Sequence, residues 1–293
     1  VDKKGSMNEA LNQAKMHYNY KNALPPVTAK ADYWASTGKP YLKWTAVDGA
    51  NRYYVYRSTT KDGTYSFLGS TANLNYTDSA ANAGTTYYYK IKAGIVNGAK
   101  SASSAAVAVT CRCARPVVKP SYVGASGKPY IYWSAVDGAG KYYVYRSTSK
   151  NGTYEYIGYT AKTNYTDSKA VAGTTYYYKV KAISSVKSIA NSALSTPVTI
   201  TCRCAKPVVK ITLTQKGDPR LTWNAVAGAS QYEVYRATSK NGTYTKMFTT
   251  SNLSYTNTSA KAGTTYYYKV KAVSKVKSTA NSAFSTVASI KAR

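Results

Sequence analysis

The chain has 293 residues, and its 40 Lys and Arg side chains against 11 Asp and Glu give a formal net charge of +29 at pH 7. A charge of this sign favours acidic partners such as nucleic acid, anionic polysaccharide or an acidic wall polymer, and it carries no information about the fold. No apolar run reaches about 18 residues, so no membrane span is predicted. The N-terminus lacks the apolar segment of a signal peptide, and we therefore expect a mature form or an excised fragment.

Residues 1–24 form a leader. Its only helical signal, over residues 7 to about 20, places few apolar side chains on one side, so an isolated helix would be marginal in water. A flexible leader, or the tail of a preceding segment, is favoured over a docked capping helix. The single histidine, His17, lies here. A Ser-His or Cys-His catalytic pair inside any repeat is therefore excluded.

One stretch occurs three times, and its copies begin at Ala83, Ala172 and Ala262. The spacing of 89 and then 90 residues indicates three copies of one structural unit. The predicted domains are residues 25–113, 114–204 and 205–293, and each is long enough to bury a modest core without metals or disulfides.

Each repeat opens with a proline, which fits a first, edge strand because the missing N–H breaks no central ladder: Pro26, Pro116 and Pro207. The next strand carries one tryptophan that we expect to fill the core between two sheets: Trp44, Trp133 and Trp223. The third strand alternates Tyr53 and Val55 inward with Tyr54 and Tyr56 outward. An Asp-Gly or Asn-Gly pair follows, which predicts a tight hairpin with positive φ angles near Gly63, Gly152 and Gly242.

The repeated stretch predicts a half-buried strand, with Tyr87 and Tyr89 on the inner face and Tyr88, Lys90 and Lys92 on the outer face. A stretch rich in Ala, Ser and Val, such as residues 191–198, closes each repeat. The first tyrosine of the strand sits where β-sandwiches place a tyrosine corner, whose hydroxyl bonds back to the preceding turn. This predicts a structural role for Tyr87, Tyr176 and Tyr266.

Short strands with turn signals every ~8 to 12 residues predict an all-β chain of three tandem seven-stranded antiparallel β-sandwiches. Residues 44, 53–57, 76–78 and 83–93 together resemble the fibronectin type III pattern, in particular the repeats of secreted and wall-attached proteins of Gram-positive bacteria. The resemblance covers residues 25–293. It implies a fibronectin type III or immunoglobulin-like fold that serves as a spacer, an adhesive module or an accessory domain of a carbohydrate-degrading enzyme.

No catalytic group, cofactor site or metal site is predicted. The carboxylates lie mostly in turns, where the first two repeats have Asp48, Asp62, Asp78, Asp137 and Asp167 and the third has Ala227, Asn241 and Asn257. A paired-carboxylate site would therefore be missing from the third repeat, whereas turn chemistry explains all three. No Gly-rich phosphate loop followed by a helix occurs.

The two junctions between repeats each carry a Cys-x-Cys motif, Cys111 with Cys113 and Cys202 with Cys204. Equivalent points on successive domains lie roughly 30 Å apart, beyond the ~7 Å that a disulfide spans between Cα atoms. A strained local disulfide, reduced thiols packed at the junction, redox activity, a bond to another chain and a metal shared with a second chain all remain open. We interpret the motif as a stiffener of the junction.

The outward residues of the third strand and of the tyrosine strand are expected to cluster on one sheet, forming three Tyr/Lys faces. The first face is Tyr54, Tyr56, Tyr88, Lys90 and Lys92; the second is Tyr143, Tyr145, Tyr177, Lys179 and Lys181; the third is Tyr235, Tyr267, Lys269 and Lys271. Such faces can stack on sugar rings while the lysines contact acidic groups. The alternative is ordinary cross-strand pairing that discourages sheet aggregation.

The sequence thus predicts a non-catalytic, monomeric rod that acts as an extracellular or cell-surface spacer in a bacterial protein. The alternatives are an adhesin that binds an acidic polysaccharide, a wall polymer or a host surface glycoprotein through the Tyr/Lys faces, and an accessory segment of a glycan-active enzyme. An intracellular nucleic-acid binder is favoured by charge alone, since no nucleic-acid recognition motif is present.

Overall fold

The structure is a computed structural model that describes residues 9–10, 24–95 and 98–293. The predicted leader helix and His17 lie outside the described residues, apart from Glu9 and Ala10. From residue 24 onward the described chain is built from strands, with two short 3₁₀ turns at Ser188–Ala190 and Ser278–Ala280. The predicted all-β class is confirmed.

The strands of the three repeats follow the same order. The first repeat contains β1 Ala29–Tyr33, β2 Pro40–Trp44, β3 Arg52–Ser58, β4 Ser66–Thr71, β5 Asn75–Thr77, β6 Thr86–Gly94 and β7 Val107–Thr110. The second contains β8 Lys119–Tyr122, β9 Pro129–Tyr132, β10 Ala139–Ser147, β11 Glu155–Thr160, β12 Asn164–Thr166, β13 Thr175–Ser184 and β14 Val198–Thr201. The third contains β15 Val209–Leu213, β16 Pro219–Trp223, β17 Ala229–Ala237, β18 Thr245–Thr250, β19 Ser254–Thr256, β20 Thr265–Ser274 and β21 Ala288–Lys291.

Each repeat forms one three-stranded and one four-stranded sheet. In the first repeat the orders are β1-β2-β5 and β4-β3-β6-β7, and the corresponding strands repeat these orders in the other two. The third strand and the tyrosine strand are neighbours, as predicted, with Val55 opposite Ile91 and Val234 opposite Val270. The predicted tandem seven-stranded β-sandwiches are confirmed.

The described chain divides into two compact units. Unit one runs to Arg115 and includes Val136–Lys141 and Lys181–Leu194, whereas unit two comprises Pro116–Ala135, Tyr142–Val180 and Ser195–Arg293. The core of the first sandwich lies between its two sheets, where Leu42 and Trp44 of β2 face Val55 of β3 and Tyr89 of β6. These residues alternate with polar ones along each strand, so burying one face of each sheet accounts for the core.

Two sequence predictions about local structure are wrong. Gly63, Gly152 and Gly242 do not adopt positive φ angles. The connection that contains Gly63 spans residues 59–65. A Cβ at Gly63 would lie 2.0 Å from the Thr60 hydroxyl, so the glycine is needed because the Thr60 side chain packs against its backbone. The opening prolines precede the first strands, which begin at Ala29, Lys119 and Val209.

The stretch rich in Ala, Ser and Val that closes each repeat is only partly a strand. In the second repeat the strand of this stretch starts at Val198, and the segment before it belongs to no ladder. There the amides of Val180 and Ala182 donate to the hydroxyls of Ser195 and Ser192, respectively, at 2.9 and 2.8 Å. Buried serine hydroxyls thus replace carbonyls as acceptors, which explains the serine content of the segment.

Candidate functional site

The predicted core and corner residues occupy the sandwich interior. Trp44, Trp133 and Trp223 are at most 6% exposed. The hydroxyls of Tyr87, Tyr176 and Tyr266 accept hydrogen bonds from the backbone N–H groups five residues earlier, at 3.2, 3.2 and 3.0 Å. Each of these tyrosines therefore ties the start of its strand to the turn that precedes it.

Two of the predicted turn carboxylates also form a buried polar network that the sequence reasoning missed. Asp78 is 1% exposed, and its Oδ2 accepts from Arg57 Nη1 at 2.8 Å and from the Tyr89 hydroxyl at 2.7 Å. Its Oδ1 caps the turn by accepting from the Ala80 N–H at 3.1 Å. Burial, followed by the bond to Asp78, raises the pKa of Tyr89 far above its ordinary value.

The same network occurs in the second repeat, and the third replaces its acid. Asp167 accepts from Arg146 at 2.9 Å and from the Tyr178 hydroxyl at 2.8 Å. In the third repeat Asn257 accepts from Arg236 at 3.3 Å and donates to the Tyr268 hydroxyl at 2.8 Å. The carboxylates of Asp78 and Asp167 are thus already hydrogen-bonded to an arginine and a tyrosine, so neither is free to act as a general acid or base. Within the described residues, no three or more His, Cys, Asp or Glu side chains cluster as metal ligands.

The structure brings the residues of the first face together. Tyr54 lies opposite Lys92 and Tyr56 lies opposite Lys90 across β3 and β6. The Lys92 ammonium is 5.8 Å from the Tyr56 ring centroid. Tyr88 lies on the same side of β6, opposite Ser58.

Two further aromatic contributors to the first face were missed. The Lys90 ammonium sits 4.3 Å above the Tyr65 ring, which comes from the connection before β4, and Phe67 of β4 lies 5.6 Å from the Tyr56 ring. The repeated Gly-Thr-Tyr ending of this connection was the available signal, because Tyr154 and Tyr244 take the place of Tyr65.

The second and third faces differ from the first in their edge residues. In the second, Tyr143 and Tyr145 contact the ring of Tyr156 at 5.2 and 5.8 Å, and Lys179 lies 4.0 Å above Tyr154. Tyr177 and Lys181, both half-buried, lie on the tyrosine strand with Lys179.

In the third face, three of the predicted residues lie near aromatic rings. Tyr235 is 4.9 Å from Phe284, Lys269 is 3.9 Å from Tyr244 and Lys271 is 5.8 Å from Phe284. Tyr267 is half-buried on β20.

The four cysteines are free and buried, and burial raises the pKa of each thiol. Cys111 belongs to the core of the first sandwich and Cys204 to the core of the third. The Cys111 N–H donates to Thr85 and the Cys113 N–H to Ala190, at 2.9 and 2.8 Å. Raised pKa values disfavour the thiolate, so these groups are poor nucleophiles.

The second junction repeats the backbone contacts of the first. In unit two the Cys202 N–H donates to Thr174 and the Cys204 N–H to Ala280, again at 2.9 and 2.8 Å. A lysine on the following loop adds one bond in each unit, Lys187 to the Thr86 hydroxyl and Lys277 to the Thr175 hydroxyl. Both junctions are therefore built from the same set of contacts.

Glycines allow close approach at both junctions. In unit one a Cβ on Gly84 would lie 3.2 Å from Val186, and a Cβ on Gly138 would lie 2.8 Å from Ala83. The equivalent glycines of unit two, Gly173 and Gly228, would place a Cβ 2.8 Å from Val276 and 2.7 Å from Ala172. At Gly138, Gly173 and Gly228 a Cβ would therefore force a neighbour to shift, whereas at Gly84 Val186 would have to give by a few tenths of an ångström.

Comparison with known proteins gives relatives that are much longer than this chain, and no family model matches. Exoglucanase B of Cellulomonas fimi is 30% identical over 260 residues, which is 79% of this chain and 22% of that protein. A poly(3-hydroxybutyrate) depolymerase of Delftia acidovorans is 39% identical over 84 residues, 29% of this chain and 16% of that protein. An amylopullulanase of Thermoanaerobacter thermohydrosulfuricus is 35% identical over 34% of this chain and 7% of that protein.

The structural neighbours are fibronectin type III domains. A Fn3-like protein from Clostridium thermocellum is 35% identical and matches 30% of this chain and 92% of its own, with a TM-score of 0.28. The FN1–FN3 domains of chicken CNTN1 are 16% identical and match 92% of this chain and 99% of their own, also with a TM-score of 0.28. Among the described residues no helix is long and apolar enough to cross a membrane.

Proposed function

We propose that the chain is a non-catalytic, extracellular spacer made of three fibronectin type III-like modules, residues 25–113, 114–204 and 205–293, within a longer glycan-active protein. The observation that carries this proposal is the recurrence of one set of junction contacts in both units. A flexible linker needs no such set, whereas a spacer that holds a defined distance does.

Two further observations support the spacer role. The buried carboxylates Asp78 and Asp167 already have structural partners, which leaves them unsuited to acid–base chemistry. The relatives named exoglucanase B and amylopullulanase act on glycans by name, and this chain matches only 22% and 7% of their lengths. A match to a small part of each enzyme fits an accessory segment.

The test of the spacer role is a nuclear magnetic resonance measurement of how the second and third modules tumble. If the junction is stiff, wild-type amides of both modules report one common rotational correlation time. Gly173→Ala should uncouple them, because the new Cβ would lie 2.8 Å from Val276. Independent tumbling of the wild-type modules would sink the proposal.

Gly263→Ala is the matched control for this experiment. Gly263 holds the equivalent position in the third repeat and also has a positive φ, but nothing lies within 4 Å of its Cβ position. The two variants thus share the backbone strain and differ only in the junction contact. Gly263→Ala is expected to leave the common correlation time unchanged.

The second face favours an additional function, the binding of acidic glycans or wall polymers. Tyr156 is 51% exposed while its ring also contacts Tyr143 and Tyr145, so an aromatic surface is held in place and remains open to solvent. Such a surface can stack on a sugar ring with little loss of side-chain entropy.

A glycan panel of neutral, uronate-containing and sulfated oligosaccharides tests this second function. We expect Tyr156→Ala to weaken glycan binding. Tyr244→Ala removes the ring beneath Lys269 in the third repeat and is expected to leave glycan binding unchanged. Equal binding by wild type and Tyr156→Ala would remove the second face from consideration.

A further inference from the structure

The second junction contains a cationic pocket inside unit two. Its volume is about 300 Å³, and its polar lining consists of Ser126, Lys128, Lys169 and Arg203. The rest of the lining is small and apolar, including Ala172 and Ala227. No acidic side chain lines the pocket, so it carries three formal positive charges.

The three cations are held in different ways. The Lys128 ammonium donates to the Ala170 carbonyl, and the Arg203 guanidinium lies 4.0 Å from the centroid of the Tyr122 ring. The Lys169 side chain is exposed at the pocket. The nearby carboxylate of Asp167 is 4% exposed and already paired with Arg146. The cationic groups are thus positioned by a carbonyl and a ring rather than by acids, which leaves their charge available to an anion.

The first junction has the same framework but lacks this charge. There Lys39 donates to the Ala81 carbonyl at 2.6 Å, and Arg112 lies 3.9 Å from the Tyr33 ring centroid. The position of Lys169 is held by Ala80, and the position of Ala227 is held by Asp137. Lys39, Arg112 and Asp137 therefore give the first junction one formal positive charge, whereas the second junction has three.

We propose that the pocket of the second junction binds an anionic sugar residue, one that carries a carboxylate or a sulfate group. A cavity of about 300 Å³ has the size of a small-ligand site. Lysine, arginine and serine together provide the charged and hydroxyl donors that a carboxylate or sulfate oxygen accepts from. No aromatic ring lines the pocket, so a nucleobase would have nothing to stack on. The inference is independent of the spacer role.

The experiment exchanges the charges of the two junctions in the full chain. Lys169→Ala with Ala227→Asp gives the second junction the residues of the first, and Ala80→Lys with Asp137→Ala does the reverse. All four positions are exposed, so both double variants are expected to fold. The probes are a trigalacturonate, a sulfated disaccharide, neutral cellotriose and a single-stranded oligonucleotide, with binding followed by calorimetry and by amide shifts.

Wild type should bind one acidic probe and not cellotriose, with shifts at Ser126 and Lys169. The first double variant should bind at least about tenfold more weakly, because the local charge falls from three to one. The reverse variant should gain a second binding site. The carboxylate and sulfate probes decide which acidic group the pocket prefers.

Unchanged affinity in Lys169→Ala with Ala227→Asp would overturn the proposal, as would tighter binding of the oligonucleotide than of either acidic sugar. Shifts spread over the whole basic surface would also overturn it, since they would indicate non-specific attraction. Lys169→Ala with Ala227→Asp should leave the rotational correlation time of the modules unchanged. Failure of the anion-binding proposal is therefore distinguishable from failure of the spacer proposal.

Discussion

The first and third sandwiches share strand order, core and corner, yet they differ at one buried polar position. Asp78 in the first sandwich forms an ion pair with Arg57, whereas Asn257 in the third accepts a longer hydrogen bond from Arg236 through its uncharged amide oxygen. Each side chain also bonds a fully buried tyrosine hydroxyl. The geometry of the network therefore does not require a charge, and the acid makes its sandwich sensitive to pH.

The largest expected difference comes from truncating this position. Asp78→Ala leaves Arg57 and the Tyr89 hydroxyl without their partner and should cost about 3 kcal/mol of unfolding free energy. Asn257→Ala removes an uncharged partner from Arg236 and from the Tyr268 hydroxyl and should cost about 1 to 2 kcal/mol. Native-state hydrogen exchange of the β6 and β20 amides measures both in the full chain, and equal losses would contradict the comparison.

Alkaline pH should distinguish the sandwiches next. The pKa of Tyr89 is raised by burial and by Asp78, whereas Asn257 offsets part of the rise that burial causes in the pKa of Tyr268. A group whose folded pKa exceeds its unfolded value of about 10 stabilises the fold below that pH and loses this contribution as pH rises above it. The first sandwich should thus lose more stability in total above about pH 10, because its tyrosine stays protonated in the folded state over a wider pH range. Tyrosinate absorbance with residue-resolved exchange checks this order.

Asn257→Asp should make the third sandwich resemble the first. The new carboxylate would accept from both Arg236 and Tyr268 and should add about 1 kcal/mol at neutral pH. It should also increase the loss of stability above pH ~10. A variant that is more stable at every pH would show that the charge of Asp78 does not cause the sensitivity.

The smallest expected difference lies on the outer faces. Tyr65→Leu removes the ring beneath Lys90 and should cost about 0.5 to 1 kcal/mol, as expected for an exposed cation–π contact. Tyr244→Leu should lower the unfolding free energy by less, because the Lys269 ammonium still has the Phe284 ring 5.9 Å away as a cation–π partner. The same exchange measurement applies, with Tyr65→Phe as the control that retains the ring.

Most of the fold was predictable because alternation is a local property of the chain. Tyr87 and Tyr89 were assigned to the inner face of their strand from period-two spacing, and both are at most 5% exposed. The hairpins were not predictable in the same way. Gly63 lies in a connection whose length depends on where β3 and β4 stop pairing, and that register carries a bulge between Val55 and Tyr56.

The candidate sites were only partly predictable for the same reason. Cross-strand neighbours such as Tyr56 and Lys90 follow from strand order, whereas Tyr65 reaches Lys90 from a connection whose path the sequence does not reveal. The cationic pocket combines Lys128, Lys169 and Arg203 from three separate segments. No spacing rule joins residues this far apart.

By itself, the sequence determined the threefold repeat, the all-β class, the buried tryptophans and the basic character, because each follows from periodicity or composition. Only the tertiary structure decided that Asp78 pairs with Arg57, 21 residues away, and that the two junctions share contacts but differ in charge. These features depend on which side chains meet when sheets and repeats pack. Packing is a long-range property that a local pattern does not encode.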